Sequence, residues 1–190
     1  MEELTMSTTY SIGAMNQLGD ALENAGFSAA DVTRLKQFSN LNGLKDILYG
    51  KAEIKYPEHS IDCDSAPFIP NGWLIEEHKK GGFFKLDPAK ISLYLSKKQK
   101  KGSIGGHDFR KDLSDKSVMN ANVLDYLLAH PELIPKEWKG KYIFFWGTIY
   151  RHSDGSLVVR CLRWNGSRWD WCYDWLDFDF PSDNPAALAS

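Results

Sequence analysis

The sequence predicts an α+β domain, with amino-terminal helices packed on a predominantly antiparallel sheet that ends in a Trp-rich three-stranded meander. Three observations carry this. Apolar residues recur at helical spacing through the first fifty residues. The punctuation then changes to Pro, Gly and Asn-Gly breaks between short runs of aromatic and β-branched residues. Six of the seven tryptophans lie between Trp138 and Trp175, in KYIFFWGTIYR-HSDG-SLVVRCLRW-NG-SRWDWCYDWL.

Residues 1–10 read as a frayed lead and 11–50 as a helical region. Ile12, Met15, Leu18 and Leu22 form the first apolar stripe, and Gly26 is placed to end that helix. Ser28 and Asp31 make a variant capping box ahead of Val32, Leu35 and Phe38. A third helix turns Leu44, Ile47 and Leu48 inward and stops at Gly50. Residues 51–190 form an α+β region, the whole chain making one domain. GWLIEEH, KKGG and FFKLD read as a hairpin, KISLYLS as a further strand, and KKQKKGSIGG as a mobile basic loop. A helix follows from about Asn122 to His130, with Val123, Tyr126 and Leu127 inward and Pro131 closing it.

The meander spans 141–176. Asp154-Gly155 and Asn165-Gly166 are two-residue hairpin signals, which would set Ile149 opposite Arg160, Leu162 opposite Trp169 and Arg160 opposite Trp171. Alternation then puts Phe145, Ile149, Val158, Leu162, Trp169, Trp171, Tyr173 and Trp175 on a core face. Trp146, Tyr150, Arg163, Arg168 and Asp170 fall on the other, an aromatic and charged face suited to a protein, peptide or glycan ligand. Arg160 beside Trp171 is placed for a cation–π contact.

Composition narrows the function. The chain has 190 residues, 43% of them hydrophobic and 25% charged, as in a folded globular protein. A net charge of -2 makes nucleic acid an unlikely partner, even with Lys97, Lys98, Lys100 and Lys101 clustered. Charge is uneven, however: eleven lysines and arginines against four aspartates lie between Lys79 and Lys116, a distribution that steers an anionic partner to the middle segment. Cys63, Cys161 and Cys172 show no CxxC spacing, so free thiols are expected, with no metal site and no cofactor. No apolar run approaches the ~20 residues that span a bilayer, and a cytoplasmic location is expected.

Two clusters offer an alternative chemistry. Cys63 with His59 or His78 supplies a thiol and a base, and His107-Asp108 beside the basic loop could act on a phosphate, giving a hydrolase or nuclease-like enzyme. Against this, Asp62 and Asp64 share one strand face while Cys63 points away, and neither GxxxxGK[ST] nor GxGxxG is present. The first reading is therefore a non-enzymatic binding or interaction protein.

NANVLDYLLAHPELIPKEWKGKYIFFWGTIYR, WNGSRWDWCYDWL and NPAALAS resemble a group of small uncharacterised bacterial proteins with a Trp-rich C-terminal segment. GFSAADVTRLKQF, KAEIKYPEH and IDCD resemble the amino-terminal half of that group. The resemblance covers roughly residues 26–190. It implies a bacterial, cytoplasmic protein and a single evolutionary unit, and it carries no activity, cofactor or catalytic residue.

Overall fold

A computed structural model describes residues 9–54 and 58–189. Most of the predicted lead, and Pro57, lie outside the described residues. The chain divides into two compact units, residues 1–55 and 56–190. The first holds α1 (Ile12–Asn24), α2 (Ala29–Lys36) and α3 (Leu41–Leu48). Ser11, Ser28 and Asn40 cap the three helices, and Ser28 with Asp31 forms the expected capping box. Gly26 and Gly50 end α1 and α3 at positive φ, 85° and 67°. No residue of the three helices is buried.

The second unit is the α+β body. β4 (Ile91–Tyr94), β6 (Tyr142–Arg151), β7 (Leu157–Trp164), β8 (Trp169–Trp175) and β10 (Ala186–Ala189) form a mostly antiparallel sheet in the order β4-β10-β6-β7-β8. β2 (Leu74–His78) pairs with the second half of β6. Two small ribbons flank this sheet: β1 (Ser60–Asp62) with β3 (Phe83–Lys85), and β5 (Ser103–Gly105) with β9 (Asp179–Pro181). α4 (Gly106–Asp112) and α5 (Ala121–Ala129) complete the unit. No helix among the described residues is long and apolar enough to cross a membrane.

Several expectations are corrected. GWLIEEH and FFKLD do not form a hairpin. The Asp64 carboxylate takes the amides of Gly81 and Gly82 at 2.9 and 2.8 Å, and Lys79 donates its amide to Gly147. Those bonds send β2 to β6 and β3 to β1. The basic loop is ordered: the buried Gln99 amide donates to the carbonyls of Pro181 and Asn184 and accepts from Ser96. The residues directly after that loop, including His107 and Asp108, form helix α4.

The meander forms, but with a different register. β6 and β7 join through a five-residue connection, and their pairing shifts between Phe144 and Ile149. Ile149 therefore faces Val159 and Tyr150 faces Val158, which exchanges the faces expected for them. The second turn is four residues long, so Leu162 opposes Trp171 and Arg160 opposes Tyr173. That register also brings Cys161 directly opposite Cys172, and the two form a disulfide rather than free thiols.

Both faces of β6 and β7 are covered. Phe109 of α4 and Leu113, which caps its end, pack with Phe144, Trp146, Val159, Cys161 and Phe180 on one face. Val123, Leu124 and Leu127 of α5 pack with Ile143, Phe145 and Leu162 on the other. Apolar residues at both parities in YIFFWGTIY are the mark of a strand buried on both sides.

Since α4 and α5 lie on opposite faces, the link between them must cross the sheet. It does so in the gap along β6 between β10 and β2. Val118 packs on the α4 face and Met119 on the α5 face. Met119 donates to Ala187 and accepts from Gly147, while Val118 bridges to Leu188. A Cβ on Gly147 would sit 2.9 Å from the N, Cα and Cβ of Asn120, so only glycine fits beside the crossing. Gly147→Ala is expected to destabilise the fold by ~1–3 kcal/mol through overpacking, read from the urea midpoint. An unchanged midpoint would mean that the crossing has room to spare.

Arg160 is the largest fully buried side chain, at 1% exposure. It forks onto Asp125 of α5 with contacts of 2.7 and 3.1 Å, and its guanidinium lies 4.7 Å from the Trp171 ring centre and 5.2 Å from that of Phe68. The expected cation–π contact thus forms, although diagonally. Burial works against the charge, and Asp125, with the Tyr150 hydroxyl behind it, outweighs that and keeps the pKa raised. Asp125→Ala leaves a buried cation without its partner. The expected loss is about 3 kcal/mol, the low end for such pairs because Asp125 retains 32% exposure; thermal unfolding would measure it, and a shift below about 1 kcal/mol would contradict this account.

Candidate functional site

The residues expected to form a binding face do not come together. Trp146 is buried among Phe109, Phe144 and Phe180 on the α4 face, with ring centres 5.1, 6.4 and 5.1 Å away. Tyr150 is buried on the opposite face, packs against Trp73 and donates its hydroxyl to the Phe68 carbonyl at 3.0 Å. Arg163 and Asp170 are paired in register across β7 and β8, and Arg168 is exposed in the turn between these strands. Asp170 and Asp174 accept the amides of Trp171 and Trp175, each at 2.9 Å. β8 is an edge strand, so these carboxylates occupy amides that another chain could otherwise pair with. The remaining rings are largely spent on one another: Trp73–Tyr173 at 4.8 Å, Tyr173–Trp175 at 5.0 Å, and His152 stacked on Tyr173 at 5.9 Å.

The catalytic alternatives are not assembled either. Cys63 is buried, and burial first, then the charges of Asp62 and Asp64, push its thiol up to about 11. His59 turns its Nδ1 to the Tyr126 hydroxyl at 3.1 Å. His78 reaches the Cys63 backbone rather than the thiol: Nε2–H donates to the carbonyl at 3.2 Å, and Nδ1 lies 2.8 Å from the Thr148 hydroxyl. His107 pairs with Asp177 at 3.1 Å on the surface of the α4 turn. Asp108 bonds Lys98 at 3.1 Å, and that bond, helped by the Lys98 and Lys111 charges, holds its carboxyl below the usual range. No group of His, Cys, Asp and Glu able to hold a metal occurs among the described residues.

Lys97, Lys98, Asp108 and Lys111 do line an open cleft of about 610 Å³, without His107, and a different set of residues comes together at the crossing. A cavity of about 370 Å³ opens on the α5 side, in the usual size range of ligand sites. Its floor is apolar, from Phe84, Met119 and Val123, with the protonated Cys63 thiol beside them. Ser117 and Asn120 add neutral polar groups, and the charged residues that line it, Lys79, Lys80 and Lys116, are all cationic. A smaller cavity of about 200 Å³ lies on the α4 side, walled by Trp146 and by the Glu77–Arg110 ion pair at 2.6 Å. Lys79 and Val118 line both.

The local sequence explains this placement. IDCD supplies Asp64, which clamps the KKGG backbone and presents Lys79 and Lys80. Asn120 donates to the carbonyls of Cys63 and Lys79 at 2.8 and 3.0 Å and so ties three segments together. Sequence reasoning missed these residues. The signal available was the basic stretch from Lys79 to Lys116, whose two ends are the lysines at this cavity. No protein-family model, curated protein or solved structure matches the chain.

The state of Cys63 can be tested directly. A thiol raised from 9.0 to about 11 holds roughly a hundredth of the thiolate of a free cysteine at pH 8. Iodoacetamide should therefore alkylate Cys63 at least ~100-fold more slowly in the native protein than in urea, as followed by intact mass. Equal rates would restore Cys63 as a nucleophile.

Proposed function

We propose that this chain is a non-enzymatic binding protein and that the lysine-lined cavity beside Gly147 is its site. The sequence had placed binding on a sheet face; the burial of Trp146 and Tyr150 moves the reading to the cavity. One observation carries it: a concave site with an apolar floor and only cationic side chains for charge, within a chain of net charge -2. Apolar walls with a few convergent polar groups are the usual make-up of a small-molecule site. The groups that could act as nucleophile or base nearby are protonated or engaged elsewhere, which favours binding over chemistry. A small molecule or the end of a peptide suits such a cavity better than a glycan laid across an open sheet.

Amide chemical shifts test this with 1-hexanol, a neutral probe that is apolar at one end. Saturable shifts should concentrate at Gly81, Val118, Met119 and Val123. Shifts that instead centre on Tyr173 and Trp175 would return the site to the aromatic strand and overturn the proposal, as would the absence of saturable shifts.

A further inference from the structure

The charged groups around the cavity are not equally free, and the difference points to the ligand's head group. Lys116 is held by Asp115 at 2.9 Å and lies over the Tyr94 ring at 5.1 Å. Arg110, at the smaller cavity, is held by Glu77. Lys79 and Lys80 have no carboxylate partner among the described residues, and their loop is fixed by the Asp64 clamp on Gly81 and Gly82. Both lysines line the cavity and neither makes an ion pair among the described residues, the Asp64 carboxylate of the same clamp being taken by the two glycine amides.

The start of α5 also lines this cavity, through Asn120, and could in principle offer backbone amides to an oxyanion. It does not. The Ala121 amide donates to Thr148 Oγ1 at 3.0 Å, that of Asn122 to Asn120 Oδ1 at 3.2 Å, and that of Val123 to the Asn120 carbonyl at 3.2 Å. Both bonds of the Asn120 amide group are likewise committed to carbonyls. A phosphate, which needs many converging donors, finds no nest here. A single carboxylate needs only the two ammonium groups.

We infer that the ligand of this cavity is a monocarboxylate carrying a short apolar chain, its head between Lys79 and Lys80 and its chain on Phe84, Met119 and Val123. This rests on the reading of the cavity as the binding site. The head is held by solvent-screened charge and the chain by burial of apolar surface, so the two contributions are separable.

The test compares octanoate, 1-octanol, octylammonium and octyl phosphate by amide chemical shifts on the full chain. Octanoate is expected to shift Gly81, Gly82, Met119 and Val123 saturably and to bind about tenfold tighter than 1-octanol, the yield of two exposed ion pairs. A Lys79→Gln/Lys80→Gln variant should bring octanoate down to the level of 1-octanol and leave 1-octanol unchanged. Added salt should weaken octanoate alone. If 1-octanol or octylammonium matches octanoate at the same amides, the cavity stands as a site but the carboxylate assignment falls. Tighter binding of octyl phosphate would overturn the carboxylate assignment too. If none of the four moves these amides, both the ligand class and the site fall.

Discussion

Two helices that follow one another in the chain lie on opposite faces of one sheet, and the segment between them has to pass through the sheet's plane. That requirement governs the rest of the unit. It needs a gap in the strand order, found along β6 where β10 has diverged and β2 has not yet begun pairing. It needs a strand residue with no side chain at the closest approach, and Gly147 is that residue. It needs the backbone groups at the opening to be satisfied, and Met119, Gly147, Ala187 and Lys79 do this among themselves. A through-plane segment cannot pack as densely as two strands in register, so space remains on either side of it. The cavities are a by-product of the crossing as much as a feature added to it.

The second organising contact is Arg160 with Asp125. It joins β7 to α5, the helix that immediately follows the crossing and that Asn120 caps at its start. A buried guanidinium tolerates this position because its charge is met by a carboxylate and its faces by aromatic rings. The Nε groups of Arg160 and Arg163 and the indole N–H of Trp146 are buried without hydrogen-bond partners among the described residues. All three lie in the layers around β6 and β7, where aromatic packing has outweighed full hydrogen bonding.

Local features were legible in the sequence and long-range ones were not. The capping box at Ser28, the stops at Gly26 and Gly50, helix α5 and the existence of the meander depend on neighbours within a few residues, and they stand where the sequence puts them. The register fails at Asp154-Gly155 because only Gly155 takes the positive φ that a two-residue primed turn needs at both positions, so the connection is longer, and an irregular pairing inside β6 then reverses Ile149 and Tyr150. The YIFFWGTIY run held a warning against an open face, since no single parity in it is polar. The candidate site was the least visible part. It gathers Cys63, the 79–84 loop, the 116–123 crossing and Ala189, and only the lysine bias of the middle segment hinted at its charge.

The gap beside Gly147 also bears on the order in which the molecule can be assembled. On one side it is bounded by β2, formed early in the chain, and on the other by β10, which comes after every other strand. Until β10 settles against β4 and β6, the crossing lies in a groove open along one edge, and no threading is required. Once β10 docks, Met119 and Val118 are bound to its backbone and the groove becomes a slot. In the finished fold β10 therefore acts as a latch, its backbone bonded to a segment that lies some seventy residues before it in the chain.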